Sequence, residues 1–182
     1  QTIQDNCTLD LVTGDLIIAS NNTKRPTLPD WCTVMSLGTL NMRTNHLQSN
    51  RLNTYSGITV LGRVKLQHPN GLYNGTVNAA FSTTLADSLD YFLSSGSTIE
   101  YNGSDNQIIS GIGLGKALST SHKYFNLAIN FTGTADVEFV YPTNNPNDSA
   151  VMVRNTLSLL SGELNLDDDH NPSNGGHRWN VL

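Results

Sequence analysis

The sequence predicts an all-β fold: an antiparallel β-sandwich head of jelly-roll type, preceded by an extended N-terminal arm or neck and carrying one short helix. The composition is the first reason. The 182 residues include 22 Asn, 19 Thr and 17 Ser, and only 14 % are charged. Amide and hydroxyl side chains compete for backbone hydrogen bonds and so disfavour long helices. The second reason is residues 123–141, KYFNLAINFTGTADVEFVY, in which Phe125, Leu127, Ile129 and Phe131 alternate with Asn126, Ala128 and Asn130. After Thr132 and Gly133, Ala135, Val137, Phe139 and Tyr141 alternate with Asp136 and Glu138. Strict alternation puts one apolar face on a core and one polar face on water, as in a sandwich hairpin. The third reason is residues 37–66, where Leu40, Met42, Leu47, Leu52, Ile58, Val60, Leu61, Val64 and Leu66 recur at short, irregular intervals. No helical or strand period fits this stretch. Very short strands do fit it, each giving one or two apolar side chains to a narrow axis.

In chain order, residues 7–19 read as a hairpin turning at Thr13, Gly14 and Asp15. Residues 20–31 form a loop punctuated by Pro26 and Pro29, with Trp31 at its end. Residues 58–66, ITVLGRVKL, read as a strand in which Gly62 makes a bulge or bend. Residues 68–76 are turn-rich and lead into a short strand at residues 76–82. Residues 83–95 are the helix candidate, with Leu85, Leu89, Phe92 and Leu93 on one face and Thr83 or Thr84 as cap. Residues 151–153, 157–160 and 164–166 are closing strands. The expected division is an oligomer-forming arm over residues 1–66 and a head with an acidic C-terminal arm over residues 67–182.

A narrow axis needs partners, and one copy of residues 37–66 does not close a core by itself. The expectation is therefore several chains side by side on a symmetry axis. The texture of residues 7–66 resembles the necks and shafts of trimeric viral and bacteriophage fibre proteins. That resemblance implies a homotrimeric virion protein, a fibre tip, spike or outer capsid or decoration component, that meets other virion proteins and a host glycan or protein receptor. A secreted lectin or carbohydrate-binding module is the alternative.

The charges exclude other classes. The net charge is -5 and the only adjacent basic pair is Lys24 and Arg25, so the concentrated positive field that nucleic acid requires is not expected. No apolar run approaches the ~20 residues of a spanning helix, so membrane insertion is not expected. Residues 110–117, SGIGLGKA, lack the first Gly and the final Ser or Thr of a phosphate loop, having Ser110 and Ala117 there. No G-x-S-x-G elbow is present, and the expectation is binding without catalysis. Tyr73, Tyr101, Asn102 and Trp31 are the candidates for stacking on and hydrogen-bonding to a glycan. Asp167, Asp169 and Asn171 have the first three positions of a calcium loop, although Pro172 and Arg178 replace its Gly and Glu, so calcium is the one cofactor considered. Cys7 and Cys32 form either one disulfide or two buried thiols.

Overall fold

The computed structural model describes residues 2–12, 16–18, 30–49, 56–72, 80–81, 90–110, 124–132, 136–140, 152–165 and 180–181. These contain sixteen strands: β1 (Thr2–Ile3), β2 (Thr8–Asp10), β3 (Leu16–Ile18), β4 (Asp30–Val34), β5 (Thr39–Asn41), β6 (Leu47–Ser49), β7 (Ser56–Val60), β8 (Arg63–Leu66), β9 (Asp90–Leu93), β10 (Thr98–Tyr101), β11 (Gln107–Ser110), β12 (Tyr124–Asn130), β13 (Asp136–Val140), β14 (Met152–Ser161), β15 (Glu163–Asn165) and β16 (Asn180–Val181). Every described pairing between them is parallel.

The order of pairing reveals how the chain travels. One sheet runs β1-β4-β7-β9, a second, seven-stranded sheet runs β2-β5-β8-β10-β12-β14-β16, and β3-β6 and β11-β13-β15 form two more. The chain visits these sheets in rotation, and three successive turns carry it from Ile3 to Val34, from there to Val60, and on to Leu93. A turn of about 30 residues lies within the ~20–50-residue period of solenoids. The architecture is a parallel β-solenoid, in which each coil pairs with the coils before and after it.

Strand pleating then sorts the side chains into columns. Leu9, Leu40, Val64, Ile99, Leu127 and Leu157 occupy one register across six strands of the large sheet. Leu40, Val64, Ile99 and Leu127 are wholly buried, whereas Leu9 and Leu157 at the ends of the column are only partly covered. Ile3, Val34, Val60 and Leu93 form the facing column. Each such side chain contributes about 1.5–3 kcal/mol of burial.

Coils stack this closely only where the corner backbone is bare. Gly38 and Gly62 occupy the same corner in successive coils, and Arg63 N–H donates to the Gly38 carbonyl at 3.0 Å. A Cβ on Gly62 would sit 2.1 Å from the Met35 carbonyl oxygen and 2.4 Å from that of Gly38. Ser97 Oγ, Asn41 Oδ1 and Asn102 Oδ1 are buried without a partner, whereas the interior side chains of Gln107 and Tyr101 are paired. The Gln107 amide accepts from Gly103 N–H at 2.8 Å and donates to the Leu66 and His68 carbonyls at 3.2 and 3.1 Å. The Tyr101 hydroxyl accepts from Leu72 N–H at 3.2 Å and lies 2.9 Å from the Tyr124 hydroxyl, with burial pushing the Tyr101 phenol up to about 12.

These observations correct the expected fold. The antiparallel β-sandwich is replaced by parallel coils. Alternation reports that one face of a strand is buried, which is equally true of a solenoid wall, so it carries no information on strand direction. Thr8–Asp10 and Leu16–Ile18 do not pair as a hairpin; they pair with β5 and β6 of the next coil. Tyr124–Asn130 and Asp136–Val140 likewise belong to different sheets. Within the expected helix, Asp90–Leu93 is a strand in register with Gly57–Val60, and residues 83–89 lie outside the described residues. The short strands of residues 37–66 are observed, but the single strand expected over residues 58–66 is two, β7 and β8, which lie in different sheets on either side of the bend at Gly62. The large sheet crosses residue 66 without interruption, through the β8–β10 pairing. The partners around the narrow axis are coils of the same chain.

Candidate functional site

The same alternation that fills the core furnishes the outer face of the seven-stranded sheet. On β8, Val64 and Leu66 point inwards and Arg63 and Lys65 outwards; on β10, Ile99 and Tyr101 point inwards and Glu100 outwards. Parallel register sets Lys65 directly beside Glu100, and Glu100 beside Ala128. Ala128 offers no polar atom, and Asn130, two residues further along β12, reaches back to the carboxylate.

Glu100 is the centre of this face. Its side chain is only 1 % exposed although it projects from the outer side of the sheet. Burying a lone carboxylate would cost several kcal/mol, so it persists only where it is paired. Arg63 Nη1 donates to Oε2 at 2.5 Å, Asn130 Nδ2 donates to Oε1 at 2.8 Å, and Lys65 Nζ lies 3.7 Å from Oε1. The bonding continues outwards, since the single Ser161 Oγ–H on β14 is shared between two acceptors, Asn130 Oδ1 at 3.0 Å and the Phe131 carbonyl. A second line runs beside the first. Asn126 Nδ2 donates to the Ser97 carbonyl at 3.0 Å, and Asn155 Nδ2 donates to Asn126 Oδ1 at 2.8 Å.

At the first coil, Arg43 grips Asp10 with two bonds, Nε to Oδ1 at 2.9 Å and Nη2 to Oδ2 at 2.8 Å. The hydrogen bond from Arg43 holds the Asp10 carboxyl below its ordinary range and raises the guanidinium in turn. The face thus offers guanidinium, ammonium, amide and hydroxyl groups at the strand spacing of about 4.8 Å. These groups bind polar ligands by hydrogen bonds and charge. No nucleophile oriented by a base is found among the residues of this network.

The residues expected from sequence are not gathered here. Tyr101 is wholly buried and its hydroxyl is bonded inside the core, which corrects its expected role as a glycan contact. Asn102 is half-buried at the corner after β10, where its N–H donates to the Leu66 carbonyl. Trp31 belongs to β4, in a different sheet. Tyr73, Asp167, Asp169 and Asn171 lie outside the described residues. Cys7 and Cys32 are both free thiols, which sets aside the disulfide of the two expected alternatives, and of the two buried thiols only Cys32 is buried while Cys7 is exposed. Register accounts for this: Cys32 is aligned with Ile58, while the Cys7 carbonyl bonds Thr39 N–H, further along the coil. Burial raises the Cys32 thiol above its ordinary value.

Arg63, Lys65, Glu100, Asn126 and Asn130 carry no motif that marks them as a site in sequence, because they come from three separate strands. Their signal was the outward position in GRVKL, STIEY and FNLAIN, which becomes a cluster once the strands are laid in parallel register. Compared with known proteins, the chain matches no family model, no curated protein and no solved structure.

Proposed function

We propose that this chain is a rigid, non-catalytic binding rod displayed on an exposed surface, and that it takes a glycan along the outer face of its seven-stranded sheet. The observation that carries this reading is the line of side-chain bonds from Arg63 through Glu100 and Asn130 to Ser161, which crosses four neighbouring strands. Held by one another and by the sheet, these side chains lose little freedom on meeting a ligand, and a hydroxyl-rich polymer matches their repeated spacing. Two settings follow. A virion spike or fibre is supported by the resemblance of residues 7–66, and a homotrimer there multiplies weak contacts with a host glycan through avidity. A secreted carbohydrate-binding module is favoured by a different observation: Leu40, Met42, Val64 and Leu66 are wholly buried by one chain, so the axis requires no neighbour.

Light scattering on the purified chain, combined with a polysaccharide array, tests both. A stable trimer that binds glycans supports the spike, and a monomer that binds them sinks the spike and supports the module. Absence of binding to every polysaccharide overturns the glycan reading in either setting.

A further inference from the structure

Charge is distributed unevenly over the coils. Among the described residues, all four Lys and Arg side chains (Arg43, Arg63, Lys65 and Arg154) belong to the seven-stranded sheet or its immediate margin. Of the nine described Asp and Glu residues only two, Asp10 and Glu100, belong to that sheet, and each is held by an arginine of the same face. The others lie on corners or on the remaining sheets, with Asp136, Glu138 and Glu163 on β13 and β15. One wall of a chain with net charge -5 is therefore cationic. Arg63 and Lys65 remain accessible while they neutralise Glu100, with side chains 44 % and 33 % exposed.

We infer that the glycan taken by this face is acidic, a polysaccharide carrying carboxylate or sulfate groups, with Lys65 and Arg63 as its principal anion contacts and Arg154 as an outlying one. The inference rests on the glycan reading of the same face. Glu100 keeps the two cations side by side without cancelling both, since one buried carboxylate faces two positive charges. Arg63 has further N–H donors beyond the Nη1 that holds Glu100, and its planar group suits carboxylate and sulfate geometry. Asn126, Asn130 and Ser161 flank the cations with groups suited to sugar hydroxyls. An acidic sugar is favoured over nucleic acid because the interleaved positions on this face are amides and hydroxyls, with no exposed aromatic among the described residues of the face on which bases would stack.

The test uses the intact chain immobilised on a sensor, with polygalacturonate, dextran and single-stranded DNA as probes. Measurements at low and high salt span the ~8 Å screening length of physiological ionic strength. Polygalacturonate is expected to bind in a salt-sensitive manner and dextran far more weakly. Lys65→Glu, which leaves the Arg63–Glu100 pair in place, is expected to lower affinity at least about tenfold. Lys65→Gln is expected to lower it less and to flatten the salt dependence, with an unchanged melting temperature as the control for folding. Equal binding of dextran and polygalacturonate, unmoved by either variant, overturns the acidic preference and leaves the glycan reading standing. Binding of neither polysaccharide overturns both. DNA bound as tightly as polygalacturonate overturns the choice of an acidic glycan.

Discussion

Residues 39–66 and residues 124–130 look like different kinds of protein and yet share one wall, to which the first gives β5 and β8 and the second gives β12. The first region crowds four strands of three to five residues between turns, and the second is a single strand of seven. Yet Leu40, Val64 and Leu127 stand in one column, coil upon coil. The apparent difference of period is a difference in the distance between corners. A strand of three residues shows one inward side chain and no alternation, whereas a strand of seven shows three or four and reads plainly. Irregular spacing of apolar residues is thus the mark of frequent corners rather than of a separate arm.

The comparison breaks most violently at the corners. Gly62→Ala drives a methyl into two backbone carbonyls that have no room to retreat, and a loss above about 4 kcal/mol, seen as insoluble protein or a collapsed urea midpoint, is expected. Wild-type stability in this variant would show that the coils turning at Gly38 and Gly62 are not stacked as described. Next in size, Leu40→Ala and Leu127→Ala remove wholly buried members of one column and are each expected to cost about 2–5 kcal/mol in urea titrations of the purified chain. A harmless Leu40→Ala beside a damaging Leu127→Ala would restore the idea of a neck completed by other chains. The smallest effect concerns Tyr101, which bridges the two regions from inside. Its phenol is raised to about 12 in the folded chain, against ~10 when unfolded, so the neutral form belongs to the folded state. The associated stability is full below pH ~10 and lost by about 2–3 kcal/mol as pH rises towards 12. In Tyr101→Phe this alkaline loss should shrink in pH-resolved denaturation, although the variant starts lower because Leu72 N–H loses its acceptor.

Much of the wall was legible in the sequence. Leu127, Ile129 and Phe131 are buried as their alternation required, whereas Phe125 is only half-buried and Tyr124 is wholly buried at the register shift before Asn126; Asn126 and Asn130 face outwards, and the bend sits at Gly62. The direction of pairing was not legible, because a pleat looks the same in either sense and because the coils differ in length. Thr39 aligns with Arg63, and Arg63 with Thr98, so no fixed period appears along the chain. The site was less legible still. Tyr101 shares the face of Ile99 by simple alternation, a signal that places it inside, whereas Glu100 gains meaning only from Arg63 on another strand. Side-chain networks built across coils have no local signature.

The unequal spacing of the coils has a consequence for how such a protein can change. Thr39 to Arg63 is a short step and Arg63 to Thr98 a much longer one, yet both land on the same column beneath Thr8. Closing a longer loop costs little more than closing a short one, growing only as about (3/2)RT ln n. The longer step is not idle chain, because Leu72, Ala80 and Phe81 within it are wholly buried and Phe81 pairs with Leu47. The wall behaves as a fixed ruler, and a longer excursion from it can add its own side chains to the core while the register is kept.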